Sequence, residues 1–331
     1  MGQGQAKTIV GPLDRVKILF QASNPKFAKY TGTWFGVVRA MRDIYAGEGS
    51  RGLFRGHSAT LLRIFPYAGI KFLAYEQIRT LVIKDQSQET AFRRFVSGSL
   101  AGTISVFFTY PLEVIRVRLA FETKTKSRTS LAQICRIIYN EQPPAIRAST
   151  GVDTSSVTRA AATTISATTG ALTKITPSNG LANFFRGFTP TLWGMIPYAG
   201  SSFLTHDMAG DLMRHPAIAK YTTLSREQSR SRDPNKPVQL RYWAELTTGG
   251  LAGLVSQTIS YPLEVIRRRM QVGGVVGDGH RLGMAEVAGN IYKQSGWRGF
   301  FVGLAIGYVK VVPMVATSFY VYERGKLWLG I

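Results

Sequence analysis

Pro12-Leu13-Asp14-Arg15-Val16-Lys17 returns as Pro111-Leu112-Glu113-Val114-Ile115-Arg116 and again as Pro262-Leu263-Glu264-Val265-Ile266-Arg267. Each copy reads proline, leucine, acid, two further residues, base. Upstream of the second and third copies lie small-residue runs, Ser97-Gly98-Ser99-Leu100-Ala101-Gly102 and Gly249-Gly250-Leu251-Ala252-Gly253. Runs of this kind let helices approach closely in a bilayer. A second block follows each first one: GSRGLFRG at 49–56, GLANFFRG at 180–187 and GWRGFFVG at 296–303. A third opens the next apolar segment with Pro66-Tyr67-Ala68-Gly69, Pro197-Tyr198-Ala199-Gly200 and Pro313-Met314-Val315-Ala316. Three blocks in one order, three times over, are the mark of internal repeats.

Each repeat therefore reads as long helix, amphipathic segment, long helix. The predicted long helices cover 3–23, 58–82, 92–121, 189–213, 241–271 and 304–328. The fold class is all-α, six transmembrane helices in three pseudo-symmetric repeats. Repeat one is expected over 1–83, repeat two over 84–214, and repeat three over 241–331. Residues 143–178, rich in Ser, Thr and Ala with the single acid Asp153, form an insertion without predicted regular structure. Residues 215–240, carrying Pro234 and Pro237, read as a linker. Only 11 residues precede Pro12. At about 1.5 Å per residue, helix one is expected to be truncated against a bilayer core of about 30 Å.

Composition narrows the function classes. The 331 residues include 41 Lys and Arg against 19 acids, a formal charge of +22 that favours an anionic partner. Cys135 is the only cysteine, which excludes an internal disulfide and a CxxC zinc pattern, and the four histidines lack HExxH spacing. No metal or other cofactor is expected. Met1–Val10 has no apolar core of a secretory signal. There is also no clean run of about 20 uncharged apolar residues, so a membrane reading rests on the repeats.

Over nearly its whole length the sequence resembles the mitochondrial carrier family, whose threefold signature matches PLDRVK, PLEVIR and PLEVIR. Within the family it is most similar to the coenzyme A carriers, the Graves-disease-carrier group, through the stretches from Tyr110 to Phe121, Leu192 to Gly200 and Gln257 to Gln271. The resemblance implies six tilted helices in the mitochondrial inner membrane, a central site and alternating access. It also implies a monomer and phosphate contacts with cardiolipin at Arg51, Arg55 and Arg186, near glycine-capped helix N-termini.

In each first block the acid and base are three residues apart, so on a helix they share a face. A charge in the bilayer interior costs roughly 2.5–3.5 kcal/mol or more and normally faces the bundle interior or water. The family pattern pairs Asp14 with Arg116, Glu113 with Arg267 and Glu264 with Lys17, a ring that shuts the matrix side. At ~4 Å and an effective dielectric near 20 each pair has roughly 4 kcal/mol of attraction before desolvation is subtracted. Gln21 and Gln271 fall where the family places glutamines that brace the ring; Ala120 stands at that place in repeat two. The family's cytosolic gate is matched by Glu76, Arg79, Glu323 and Lys326. The middle copy keeps the acid, Asp207, and lacks the base, so the expected pairs are Arg79 with Asp207 and Lys326 with Glu76.

Between the gates, the family's contact positions fall on Arg63, Gly194, Met195 and Lys310. Arg63, Gly194 and Lys310 each precede a proline by three residues and so share one depth. Lys7 is a further cation expected to face the cavity. Arginine offers a phosphate two parallel hydrogen bonds and lysine a point charge, while Gly194 beside Met195 leaves a flat apolar slot for adenine. Coenzyme A, ADP and ATP all fit that description; the group resemblance favours coenzyme A, with an ATP/ADP exchanger as the alternative. A basic nucleic-acid-binding protein is the reading from another class. It lacks a zinc-finger, RRM or helix-turn-helix signature, so nucleic acid is not an expected partner. No nucleophile–base pair supports an enzyme.

Overall fold

The computed structural model describes residues 2–82, 91–123, 130–141, 180–224, 238–273, 282–311 and 313. Helix one is α1 (Gly2–Ile9) followed by α2 (Gly11–Gln21), broken at Val10 just ahead of Pro12. A proline inside a helix lacks its N–H and crowds the carbonyl four residues back, which accounts for the break. The second long helix is α4 (His57–Val82), the third α5 (Ala91–Phe121), the fourth α7 (Phe188–Met213) and the fifth α9 (Tyr242–Val272). The sixth begins as α11 (Leu304–Val309); the expected continuation beyond residue 313 lies outside the described residues. The 143–178 insertion lies outside them too.

Between the long helices of each repeat runs a surface helix: α3 (Trp34–Leu53), α6 (Leu131–Asn140) and α10 (Met284–Ser295). Each packs against the odd-numbered long helix of its repeat through its own apolar cluster. Ala40 and Ile44 meet Val16 and Leu19; Ile134 and Ile138 meet Val114 and Leu119; Val287 and Ile291 meet Val265 and Ile266. The expected linker is partly structured. His215 caps the short helix α8 (Pro216–Thr222), with Pro216 at its first position, and Thr223 bridges to Leu240 in antiparallel fashion.

Helix α4 lies along α5 and α7 lies along α9, while the ends of α2, α5 and α9 converge. Polarity runs opposite to that of a water-soluble protein. Phe65, Leu73, Phe108, Trp193, Ile196 and Leu204 point outward, and Arg15, Lys17, Glu113, Arg118 and Arg268 are buried. Extended apolar exposure around buried charge is the pattern of a bundle solvated by lipid. Among the described residues only Val96–Phe121 is long and apolar enough to cross a bilayer by composition alone. The sister helices carry charges that the bundle itself shelters.

Three glycines close the repeats together. Gly56, Gly187 and Gly303 head the even-numbered helices with φ of 83°, 78° and 85°. A Cβ would stand 2.8 Å from the Arg116 carbonyl oxygen at Gly56 and 3.0 Å from that of Arg267 at Gly187. At Gly303 it would stand 3.1 Å from the Tyr261 hydroxyl. Left-handed backbone and close approach both demand glycine there.

Candidate functional site

The converging ends of α2, α5 and α9 form a ring of charge. Arg116 lies 3.0 Å from Asp14, Lys17 lies 3.1 Å from Glu264, and Arg267 pairs closely with Glu113. Each pair joins two different repeats. The carboxylates also hold cations from outside this threefold set. Glu113, with 2% of its side chain exposed, takes Arg63 at 3.0 Å and Arg268 at 3.0 Å. Asp14 takes Lys310 at 3.1 Å. Three acids thus meet six cations, and the ring carries excess positive charge toward the space above it.

Behind the ring stand two tyrosines, each immediately before a motif proline. The Tyr110 hydroxyl accepts from Gln271 Nε2 at 3.1 Å and donates to the Arg186 carbonyl at 3.0 Å. That of Tyr261 accepts from Gln21 Nε2 at 3.0 Å and donates to the Val302 carbonyl at 3.0 Å. The glutamines therefore reach tyrosines rather than the acid–base pairs directly, apart from Gln271 Oε1, which accepts from Arg268 at 3.0 Å. Lys17 also sits 5.1 Å from the centre of the Tyr261 ring, a cation–π contact that steadies its ammonium.

Above the ring opens a cavity of about 660 Å³, with a lining that includes Lys7, Arg63, Tyr67, Lys71, Tyr75 and Arg116 and no acid among the described residues. Arg63 is held by Glu113, by Thr109 Oγ1 at 3.5 Å and over the Tyr67 ring at 5.5 Å. Gly194 and Met195 do not line this cavity. Because α7 lies along α9, Gly194 faces Leu263, and Met195 packs on the cluster containing Tyr110.

A model of the family described as mitochondrial carrier protein matches residues 1–86, 87–216 and 238–331. The chain belongs to the mitochondrial carrier family. Mitochondrial carrier protein LEU5 of Saccharomyces cerevisiae is 48% identical, over 98% of this chain and 87% of the relative. Solute carrier family 25 member 16 of Homo sapiens is 35% identical over 97% of this chain and 83% of its own. Mitochondrial carrier protein CoAc2 of Zea mays is 33% identical over 99% and 84%. This carrier is a transporter of small anions rather than an enzyme, a multi-pass protein of the mitochondrial inner membrane.

At the opposite end of the carrier the expected Arg79–Asp207 pair is not formed. Asp207, 79% exposed, has His206 at 3.9 Å, and Glu76 is exposed as well. Glu323 and Lys326 lie outside the described residues. One end is thus ringed by ion pairs while Asp207 at the other stays apart from Arg79.

Several residues of the site escaped sequence reading. Arg268 adjoins a motif base, and the run Arg267-Arg268-Arg269 was its only signal. Arg15, buried inside the first motif, grips Glu48 with both nitrogens at 2.9 and 3.0 Å, and reaches the carbonyls of Ala120 and Glu122 at 3.2 and 3.0 Å. In repeat two the counterpart is Glu141, held by Arg118 at 2.9 Å and Arg186 at 3.0 Å. Arg55 and Arg186, read from sequence as lipid contacts, both touch these acids, Arg55 lying 3.5 Å from Glu48.

Proposed function

We propose that this carrier moves coenzyme A, or a closely related adenine-containing phosphorylated anion, by alternating access. The cavity carries the reading: Lys7, Arg63, Lys71 and Arg116 line it with no described acid, and the Asp14–Glu113–Glu264 ring closes its floor. Four cations beside tyrosine rings suit a substrate with several phosphate charges and a flat base. The floor is the matrix gate, braced by Gln21 and Gln271 through Tyr261 and Tyr110. Glu76, Arg79 and Asp207, with Glu323 and Lys326, are the cytosolic gate.

Binding and gating share side chains. Arg63 and Lys310 are the cations an entering phosphate would seek, and each is already on a ring carboxylate, Glu113 and Asp14 respectively. A phosphate that draws them off leaves those carboxylates with fewer partners, so occupancy loosens the closed gate. Gly194 and Met195 contact substrate only in a state where α7 and α9 separate. The three repeats complete the ring within one chain, so a monomer suffices. Arg51 and the N-termini headed by Gly56 and Gly187 are the place for cardiolipin phosphates.

The test is uptake into proteoliposomes of coenzyme A against ATP, ADP and phosphoadenosine phosphate. Coenzyme A is expected to enter best, and Arg63→Ala and Lys310→Ala to abolish its uptake while the protein still melts cooperatively. Preference for ATP/ADP exchange would favour an adenine-nucleotide carrier. Unchanged uptake in both variants would refute the site.

A further inference from the structure

Arg63, Tyr67, Lys71 and Tyr75 follow one another at intervals of four residues along α4, and all four line the cavity. On a helix this spacing makes a single ridge. The ridge alternates cation and aromatic ring with increasing distance from the ring of acids. Its two cations are not in the same condition. Arg63 is neutralised by Glu113, whereas Lys71 is exposed and carries no ion pair among the described residues. Eight residues separate them, about 12 Å along the helix axis. One phosphate group cannot occupy both positions; two phosphate groups set apart on one molecule can.

We propose that Lys71 is a second anion subsite, reading a phosphate monoester that is separate from the substrate's diphosphate. Tyr67, lying between the two cations with its ring already facing the Arg63 guanidinium at 5.5 Å, supplies the apolar step on which the intervening part of the molecule rests. The diphosphate lies low, by Lys7, Arg63 and Arg116; the monoester lies high, by Lys71. The arrangement therefore favours a nucleotide phosphorylated at two separate places over one whose phosphates form a single chain. This assignment rests on the anion-carrier reading above and refines it.

The experiment measures proteoliposome uptake of coenzyme A, of dephosphocoenzyme A, which lacks the separate monoester, and of ADP, whose phosphates are contiguous. A charge-assisted hydrogen bond is worth enough to make wild type prefer coenzyme A over dephosphocoenzyme A by about tenfold in KM. Lys71→Gln is expected to remove that preference by raising KM for coenzyme A alone, leaving dephosphocoenzyme A and ADP nearly unchanged. Lys71→Arg, which keeps the charge, is expected to retain it. If Lys71→Gln weakens all three substrates alike, Lys71 is a general attractor of anions and the assignment is wrong. It is equally wrong if the preference survives. Should Arg63→Ala abolish uptake while Lys71→Gln leaves the preference intact, this subsite alone falls. Should Arg63→Ala also leave uptake untouched, the anion-carrier reading falls with it.

Discussion

At the seam between α5 and α9, Glu113 is buried among Arg63, Arg267 and Arg268, and behind it Tyr110 and Gln271 share a hydrogen bond. At the seam between α2 and α5, Asp14 is 18% exposed, holds Arg116 and Lys310, and has no such pair behind it. The position equivalent to Tyr110 is Gly11, and the one equivalent to Gln271 is Ala120. Both halves of the brace are absent together, as expected of two side chains whose use is to bond each other. Arg15 takes over there, tying α2 to the Ala120 carbonyl and to Glu48. Threefold repetition thus sets where the locks stand, and each seam is built with its own chemistry.

Substitutions sharpen this contrast. Glu113→Gln should have the largest effect, because it removes a carboxylate charge that is 2% exposed and shared by three guanidinium groups. Breaking a buried ion pair costs about 3–5 kcal/mol, so uptake should vanish and the melting temperature should fall further than for Glu264→Gln. Equal losses at the two acids would show that the seams are alike after all. Next comes Arg15→Met, expected to cost about 3 kcal/mol by leaving Glu48 with Arg55 alone. A melting temperature unmoved by that change would mean the α2–α5 seam is held by something else.

Gln271→Ala should cost about 1–2 kcal/mol by removing one donor to the buried Tyr110 hydroxyl, which keeps the Arg186 carbonyl, and Gln21→Ala a similar amount at Tyr261. The smallest effect is expected at Gln294, the exposed residue that Arg269 reaches at 3.3 Å in repeat three. Repeats one and two have the acids Glu48 and Glu141 in the comparable contacts. Gln294→Glu should therefore stabilise by only about 0–1 kcal/mol, since the new pair would lie at the surface. Thermal melts in detergent rank all six variants.

The repeats and the second to fifth long helices were legible because period and order need no distances. The predicted 58–82, 92–121, 189–213 and 241–271 fall within a residue of α4, α5, α7 and α9. The short helix Pro216–Thr222 was hidden inside a stretch read as linker on its prolines, although His215-Pro216 is a reasonable start signal. An expected depth in the bundle could be read from the sequence, since spacing from a proline is a local quantity. Facing was not. Which way Gly194 looks depends on α7 lying along α9 rather than on anything in its own turn. The sharing of Arg63 and Lys310 with ring carboxylates likewise arises where even-numbered helices approach odd-numbered ones, a tertiary fact beyond any motif. Lys71 was readable as the third member of an i, i+4, i+8 ridge, but only after Arg63 and Tyr67 were known to face one space.

The account depends on opposite charges from different repeats holding each other, and Lys17 with Glu264 is the pair on which to test it. At 25% exposure Glu264 is the most accessible of the three acids, and its partner is a single lysine at 3.1 Å. Reversing each charge alone, as Lys17→Glu or Glu264→Lys, should abolish uptake into proteoliposomes, and combining the two reversals should restore a measurable part of it. Single reversals that transport like wild type, or a double reversal no better than the singles, would contradict the claim that this contact is a lock between repeats.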